Sequence, residues 1–168
     1  MQALCVRGAD KRFSEVDEAT SAILHFPGER IATFTTSFGT GDAGYYQVLG
    51  TKGDIRVDPG YTYHAPMKHA VTINGKTSTK TFKIRDQFAA ELIYFSNCVL
   101  RRRDPEPNGF EGLADIRIIQ ALYESARTGE RVKLERFEKS TRPSMRQQIS
   151  RPPVKEPELV HAASPSGD

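Results

Sequence analysis

Along the first eighty or so residues, apolar and polar side chains alternate, and each run ends at a turn signal. "QALCVRG" is a short apolar run, and "EVDEATSAILHF" extends to Phe26 and stops at Pro27-Gly28-Glu29. In "RIATFTTSF", Ala32, Phe34 and Phe38 share one face with Thr36, while Ile31, Thr33, Thr35 and Ser37 share the other. "GYYQVLG", the turn at Thr51-Lys52, "GDIRVD", an irregular loop from Pro59 to Lys68, "HAVTI", the Asn74-Gly75 hairpin signal and "KTSTKTFKI" complete the series. The connections are too short for crossover helices, so the pattern predicts an antiparallel meander.

After Arg85 the period changes. Phe88, Leu92, Phe95 and Val99 fall at helical spacing behind the candidate N-cap Asp86. A second helix opens at Asn108 with Glu111 at capping-box spacing, carries Leu113, Ile116, Ile119 and Tyr123 as a stripe, and ends at Gly129. A last strand is expected in "RVKLERF". Prolines 143, 152, 153, 157 and 165 then mix with charges, which predicts an extended or disordered tail over 138–168, dispensable for folding of a domain over 1–137. The fold class that follows is α+β, an open and mostly antiparallel sheet with two α-helices on one face. Phe34 and Phe38 suit contact with the helices through Leu92, Phe95, Ile116 and Ile119. The opposite row, Thr33, Thr35 and Ser37, is flat and uncharged, which makes it a candidate oligomer interface.

Composition narrows the function classes. The 168 residues fit one ordinary domain, and the low hydrophobic share of 38% matches a polar appendage on a compact body. With 24 basic and 21 acidic residues the charge nearly balances, and the dense run Arg101-Arg102-Arg103 complements a helix C-terminus better than a nucleic acid. Cys5 and Cys98 build no disulfide framework. His64 and His69 straddle a proline in a loop and form no metal-ligand pattern. Neither a membrane span nor a signal peptide is legible, so the cytoplasm is expected, or the periplasm if a leader belongs to a preceding segment.

The most tempting motif is Gly39-Thr40-Gly41-Asp42-Ala43-Gly44, a G-x-G-x-x-G. That fingerprint works by turning a strand into a helix whose N-terminal N–H groups meet a pyrophosphate. Here "YYQVLGTKGDIRV" follows, which is strand-like and punctuated by glycines, so the motif reads as a hairpin loop. The chain therefore carries no coenzyme, metal or catalytic assignment of its own. Asp17-Glu18 and Asp54/Asp58 read as solvated carboxylates rather than acid–base pairs. Tyr45, Tyr46, Tyr61, Tyr63 and His64 form the one cluster that could line a polar pocket for a sugar-like molecule, by stacking and hydrogen bonding, and it equally suits packing.

The order of "VDEATSAILHFPGERIATFTTSF", "YYQVLGTKGDIRVD" and "EGLADIRIIQALYESARTGERVKL" resembles the C-terminal domain of the Gfo/Idh/MocA oxidoreductases, most nearly their glucose–fructose oxidoreductase branch. The resemblance covers Gln2 to Phe137. It implies an NAD- or NADP-dependent sugar-type oxidoreductase whose coenzyme and catalytic lysine sit in an N-terminal Rossmann domain absent from this chain. It also implies a homo-oligomer joined through the sheet face. No position here matches the family's Glu-Lys-Pro stretch, so this half is expected to be inactive alone. A stand-alone, non-enzymatic domain that binds a small polar ligand or a protein partner is the competing expectation.

Overall fold

A computed structural model describes residues 1–138 and 143–149. In chain order its elements are β1 (Gln2–Val6), β2 (Ala19–Phe26), β3 (Arg30–Ser37), β4 (Tyr46–Gly50), β5 (Gly53–Asp58), β6 (Met67–Ile73), β7 (Lys76–Phe82), α1 (Gln87–Leu100) and α2 (Gly109–Thr128). All strand pairs are antiparallel, as expected, and they fall into two ladders, β1-β2-β3 and β4-β5-β6-β7. The β2–β3 and β6–β7 hairpins turn through left-handed pairs, Gly28-Glu29 (φ 76° and 57°) and Asn74-Gly75 (φ 49° and 74°). Positive φ at both turn residues matches the twist of the strands they join.

The chain divides into two compact units, one gathering Met1–Thr40 with Asp104–Met145 and the other centred on Gly41–Arg103. In the first, α2 packs against β1. Its inner face is small, with Ala121, Leu122 and Ser125 buried and Ala114 and Ile118 half-buried. Small side chains let the helix approach the sheet closely, and Ala22 of β2 is buried on that side. Ser125 is 0% exposed, accepts from Ala3 N–H at 3.1 Å and donates to the Glu130 carbonyl at 2.6 Å. The helix starts at Asn108, whose side chain accepts from Phe110 N–H, and stops at left-handed Gly129 (φ 75°). Both ends were legible in the sequence.

In the second unit, Asp86 caps α1 by accepting from Ala89 N–H. Cys98 is buried, with Ala90, Ile93, Tyr94 and Asn97 half-buried beside it. On the ladder, Val57 is buried and Val71 and His69 half-buried on one face. Gln47, Asp54, Arg56 and Asp58 line the other by strand alternation.

Three expectations need correction. The anticipated helical stripes, Phe88/Leu92/Phe95/Val99 and Leu113/Ile116/Ile119/Tyr123, are the exposed sides of their helices. Leu92, Phe95, Ile116 and Ile119 are therefore not the residues that cover a sheet. Size misled the reading, because close approach selects alanine and serine over larger side chains. No strand forms over 131–137. Val132 exchanges backbone bonds with Met1 (Val132 N–H at 3.0 Å, Met1 amino group at 2.7 Å), the Glu135 carbonyl accepts from the Arg117 guanidinium, and Ser125 occupies the next position along β1. The loop after β3 joins the two ladders and closes no hairpin. The predicted tail lies largely outside the described residues. Within 143–149 there is a short 3-10 turn, Met145–Gln147, and Gln147 donates to the Tyr94 hydroxyl at 2.9 Å.

Candidate functional site

The glycine motif is the one place in this chain where the sequence pattern suggests a coenzyme. Strand β4 follows it, so the motif opens no helix whose N-terminus could take a phosphate. A Cβ on Gly39, as on Gly8, would run into the Glu18 carboxylate, so these glycines make room for that side chain. A carboxylate at this position would repel a pyrophosphate. Gly41 and Gly44 have open space around them and form no cradle. The motif does not fit a dinucleotide.

The aromatic cluster is positioned by β4 and by the loop between β5 and β6. Gly60 N–H bonds the Gly44 carbonyl and draws that loop against the start of β4. A side chain at Gly60 would press on the Tyr46 ring, 2.8 Å from its Cδ1, so glycine lets the ring lie on the backbone. Tyr46 meets Tyr61 with ring centroids 5.7 Å apart. Tyr63 meets His64 at 5.6 Å and Phe88 of α1 at 5.5 Å, both edge-on. Thr62 fixes His64, its Oγ1 lying 3.2 Å from Nδ1 and accepting from the His64 N–H. Tyr61 is 75% exposed and Tyr63 62%, so ring faces remain open to a ligand.

The rings thus form two groups, Tyr46 with Tyr61 and Tyr63 with His64 and Phe88, and Tyr45 belongs to neither. It neighbours Tyr46 at the start of the strand, and its ring lies under the Arg56 guanidinium, 3.9 Å from the centroid. Arg56 also donates to Asp58 at 2.8 Å, and that bond raises its pKa above the ordinary arginine value. This places Tyr45 with the charged residues of the ladder rather than with Tyr46 and Tyr61. Period-two alternation carries this signal, because adjacent strand residues point to opposite faces. Phe88, expected in a helix stripe, contacts the Tyr63 ring instead.

The remaining candidates sort into structural partners. Asp54 accepts from Gln47 at 3.1 Å, and Asp17 pairs with Arg7 at 3.5 Å. Among the described residues no group of three or more His, Cys, Asp or Glu converges on a metal-sized site. No helix of these residues is long and apolar enough to cross a membrane.

Thr33, Thr35 and Ser37 lie on the face of the three-stranded ladder opposite the α2 side, by register with Ser21 and Ile23. Thr35 and Ser21 share a hydroxyl–hydroxyl hydrogen bond of 2.8 Å. Leu4, Val6, Ile23 and Ile31 stand exposed around them, so the face is apolar as well as hydroxylated.

Residues 5–134 match the model of the oxidoreductase family's C-terminal alpha/beta domain. The chain belongs to the Gfo/Idh/MocA oxidoreductase family. Among the members of this family, a D-xylose 1-dehydrogenase [NADP(+)] of Haloarcula marismortui is 32% identical over 131 residues, covering 77% of this chain and 36% of the relative. D-xylose 1-dehydrogenase (NADP(+)) 2 of Haloferax volcanii is 31% identical over 130 residues, covering 75% and 39%. The crystal structure of aldose-aldose oxidoreductase from Caulobacter crescentus, complexed with glycerol, superposes with a TM-score of 0.71 at 31% identity, covering 79% of this chain and 40% of that one. The chain thus spans well under half the length of these Gfo/Idh/MocA relatives.

Proposed function

We propose that this chain is the substrate-side and subunit-contact half of an NAD(P)-dependent sugar oxidoreductase, whose coenzyme is held by a Rossmann domain outside it. The observation that carries the reading is the match over 5–134 to the family's C-terminal domain, together with relatives whose names specify NADP and D-xylose. The misfit of the glycine motif agrees with a coenzyme bound elsewhere. When bound, that coenzyme would accept or deliver the hydride. This chain's part is to hold the sugar. The open faces of Tyr61 and Tyr63 offer stacking to the C–H face of a pyranose, and the tyrosine hydroxyls and His64 offer hydrogen bonds to its hydroxyls. The open face carrying Thr33, Thr35 and Ser37 serves as the contact between copies.

The test is titration of the chain with NADPH and with D-xylose, following ring resonances of tyrosine and histidine. D-xylose should shift the Tyr61, Tyr63 and His64 signals, and Tyr61→Ala should remove the shifts. NADPH should give no saturable binding. Saturable NADPH binding abolished by Gly41→Val would overturn the assignment of the coenzyme to another domain. For the open face, Ile23→Arg puts a charge at its centre, beside Thr33, while leaving the β3 sequence unchanged, and should halve the mass of the assembly in light scattering. An unchanged mass would remove this face as the contact.

A further inference from the structure

Strand β3 bonds to a neighbour on one side only. Phe38 N–H donates to the Glu18 carbonyl at 3.1 Å, in the same register that pairs Ser37 with Ala19 and Thr35 with Ser21. In an antiparallel ladder the backbone groups of successive residues point alternately to the two sides. Even-numbered residues of β3 therefore turn toward β2, and Ile31, Thr33, Thr35 and Ser37 turn their N–H and C=O groups outward. Among the described residues none of these outward groups has a hydrogen-bond partner. The opposite edge of the same ladder is treated differently. There Ala3 N–H is taken by Ser125 Oγ, and Met1 exchanges bonds with Val132.

Edges of this kind are usually blunted by charge, proline, brevity or cover. In the other ladder, edge strand β7 carries Lys76 and Lys80, and edge strand β4 is 5 residues long and ends in Gly50. Strand β3 has none of these devices. It is 8 residues long, uncharged beyond Arg30, free of proline and glycine, and exposed along its length apart from half-buried Ser37.

We propose that two copies of this chain join edge to edge through β3, antiparallel about a twofold axis at Phe34, giving one continuous sheet. The strand is its own complement in this register. Thr33 falls opposite Thr35 of the second copy and Ile31 opposite Ser37, as hydrogen-bonded pairs, so every outward group finds its counterpart. A twofold axis one residue either way, at Thr33 or Thr35, leaves Ser37 or Ile31 unmatched within the strand. Phe34 falls opposite Phe34 of the second copy in the closer, non-hydrogen-bonded geometry, where aromatic pairs interact best. The facing threonines extend the hydroxyl row begun by Ser21 and Thr35. Identical uncharged strands meet without repulsion, and this selects a second copy over a charged peptide. The edge contact uses the outward backbone groups of residues whose side chains stand on the open face, so the cross-link at Phe34, whose side chain is on the opposite face, tells the two contacts apart.

Two variants of the full chain test it. Thr33→Pro removes one outward N–H while leaving the β2 side paired, a position at which an edge strand tolerates proline. It should halve the mass measured by light scattering with an unchanged circular dichroism spectrum. Phe34→Cys places two sulfurs across the axis, with Cα atoms about 4.5 Å apart, within disulfide reach. Mild oxidation should convert it to a covalent dimer, while the parent chain, with Cys5 and Cys98 alone, does not convert. A monomeric parent, or an oligomer that keeps its mass in Thr33→Pro and fails to cross-link in Phe34→Cys, overturns the proposal. In the second case the copies meet elsewhere.

Discussion

Ser125→Ala removes one hydroxyl and, with it, two links that hold α2 to the start of the chain. Ser125 Oγ is fully buried, receives Ala3 N–H at 3.1 Å and donates to the Glu130 carbonyl at 2.6 Å. Without it, both backbone groups lose their partner, Ala3 N–H in half-buried surroundings and the Glu130 carbonyl at an exposed residue. Leaving a buried polar group unpaired costs about 1–3 kcal/mol. Alanine returns roughly 0.5 kcal/mol through its higher helix propensity. The net loss should be about 1–2 kcal/mol, a sizeable fraction of the roughly 5–15 kcal/mol that stabilises an ordinary domain. For a unit of this size that is a fall on the order of 10 °C in the melting midpoint. Urea unfolding gives the free energy, and hydrogen exchange at the Ala3 amide localises it. The amide should lose protection in the variant beyond what global destabilisation explains. A loss under about 0.5 kcal/mol, or an Ala3 amide as protected as in the parent, would show that Ser125 is not the link.

Two further expectations use the glycines and one exposed ion pair. Gly39→Ala meets only the free end of the Glu18 side chain, which can swing aside, whereas Gly53→Ala drives a Cβ into the Thr72 carbonyl of the adjacent strand. By urea unfolding Gly39→Ala should cost less than about 1 kcal/mol and Gly53→Ala more than about 2 kcal/mol, and the reverse order would refute this account of the two positions. The Asp10 carboxyl accepts from the Arg12 guanidinium and N–H, which hold its pKa below the ordinary 3.8. The folded chain thus favours the carboxylate, and the contribution is complete above the ordinary value and fades as pH falls through the lowered one. An NMR titration of Asp10 should rise toward the ordinary value in Arg12→Ala, and an unmoved midpoint would exclude Arg12 as the cause.

What the sequence disclosed is the part governed by local rules. Asp86, Asn108 and Gly129 announced the helix ends because capping is a property of a few adjacent residues, and the two left-handed turns were readable for the same reason. Period two separated Thr33, Thr35 and Ser37 from Phe34 on β3, yet Phe34 and Phe38, expected to meet the helices, stay exposed. The inner face of α2 was not legible, because the helix is apolar on two sides. Ala114, Ala121 and Ser125 form one side, and Leu113, Ile116 and Tyr123 the other. Periodicity cannot choose between two stripes, and larger side chains bias the choice wrongly. Nor could local pattern show that 131–137, strand-like in composition, would find β1 already engaged by Ser125. The aromatic site was legible as a composition and not as a geometry. Tyr45 and Tyr46 cannot share a face, and Phe88 reaches the cluster from a helix in the same unit.

The chain shows several surfaces that favour removal from water, and they differ in how much they say about what removes them. The outer stripe of α2 places Leu113, Ile116, Ile119 and Tyr123 in solvent, and a helix apolar on both sides is ordinarily buried on both. Yet an apolar stripe accepts any matching apolar surface, because hydrophobic attraction has no direction. The open face of β1–β3 is more selective, since its Ser21–Thr35 hydroxyls must be satisfied when water leaves. The β3 edge is the most selective of the three. Its outward N–H and C=O groups sit at fixed spacing and alternate in polarity, so only an extended strand in register answers them, and the residue pattern answers itself about Phe34. Direction and register, rather than apolar area, therefore make this edge the place where the identity of a partner can be read from the chain.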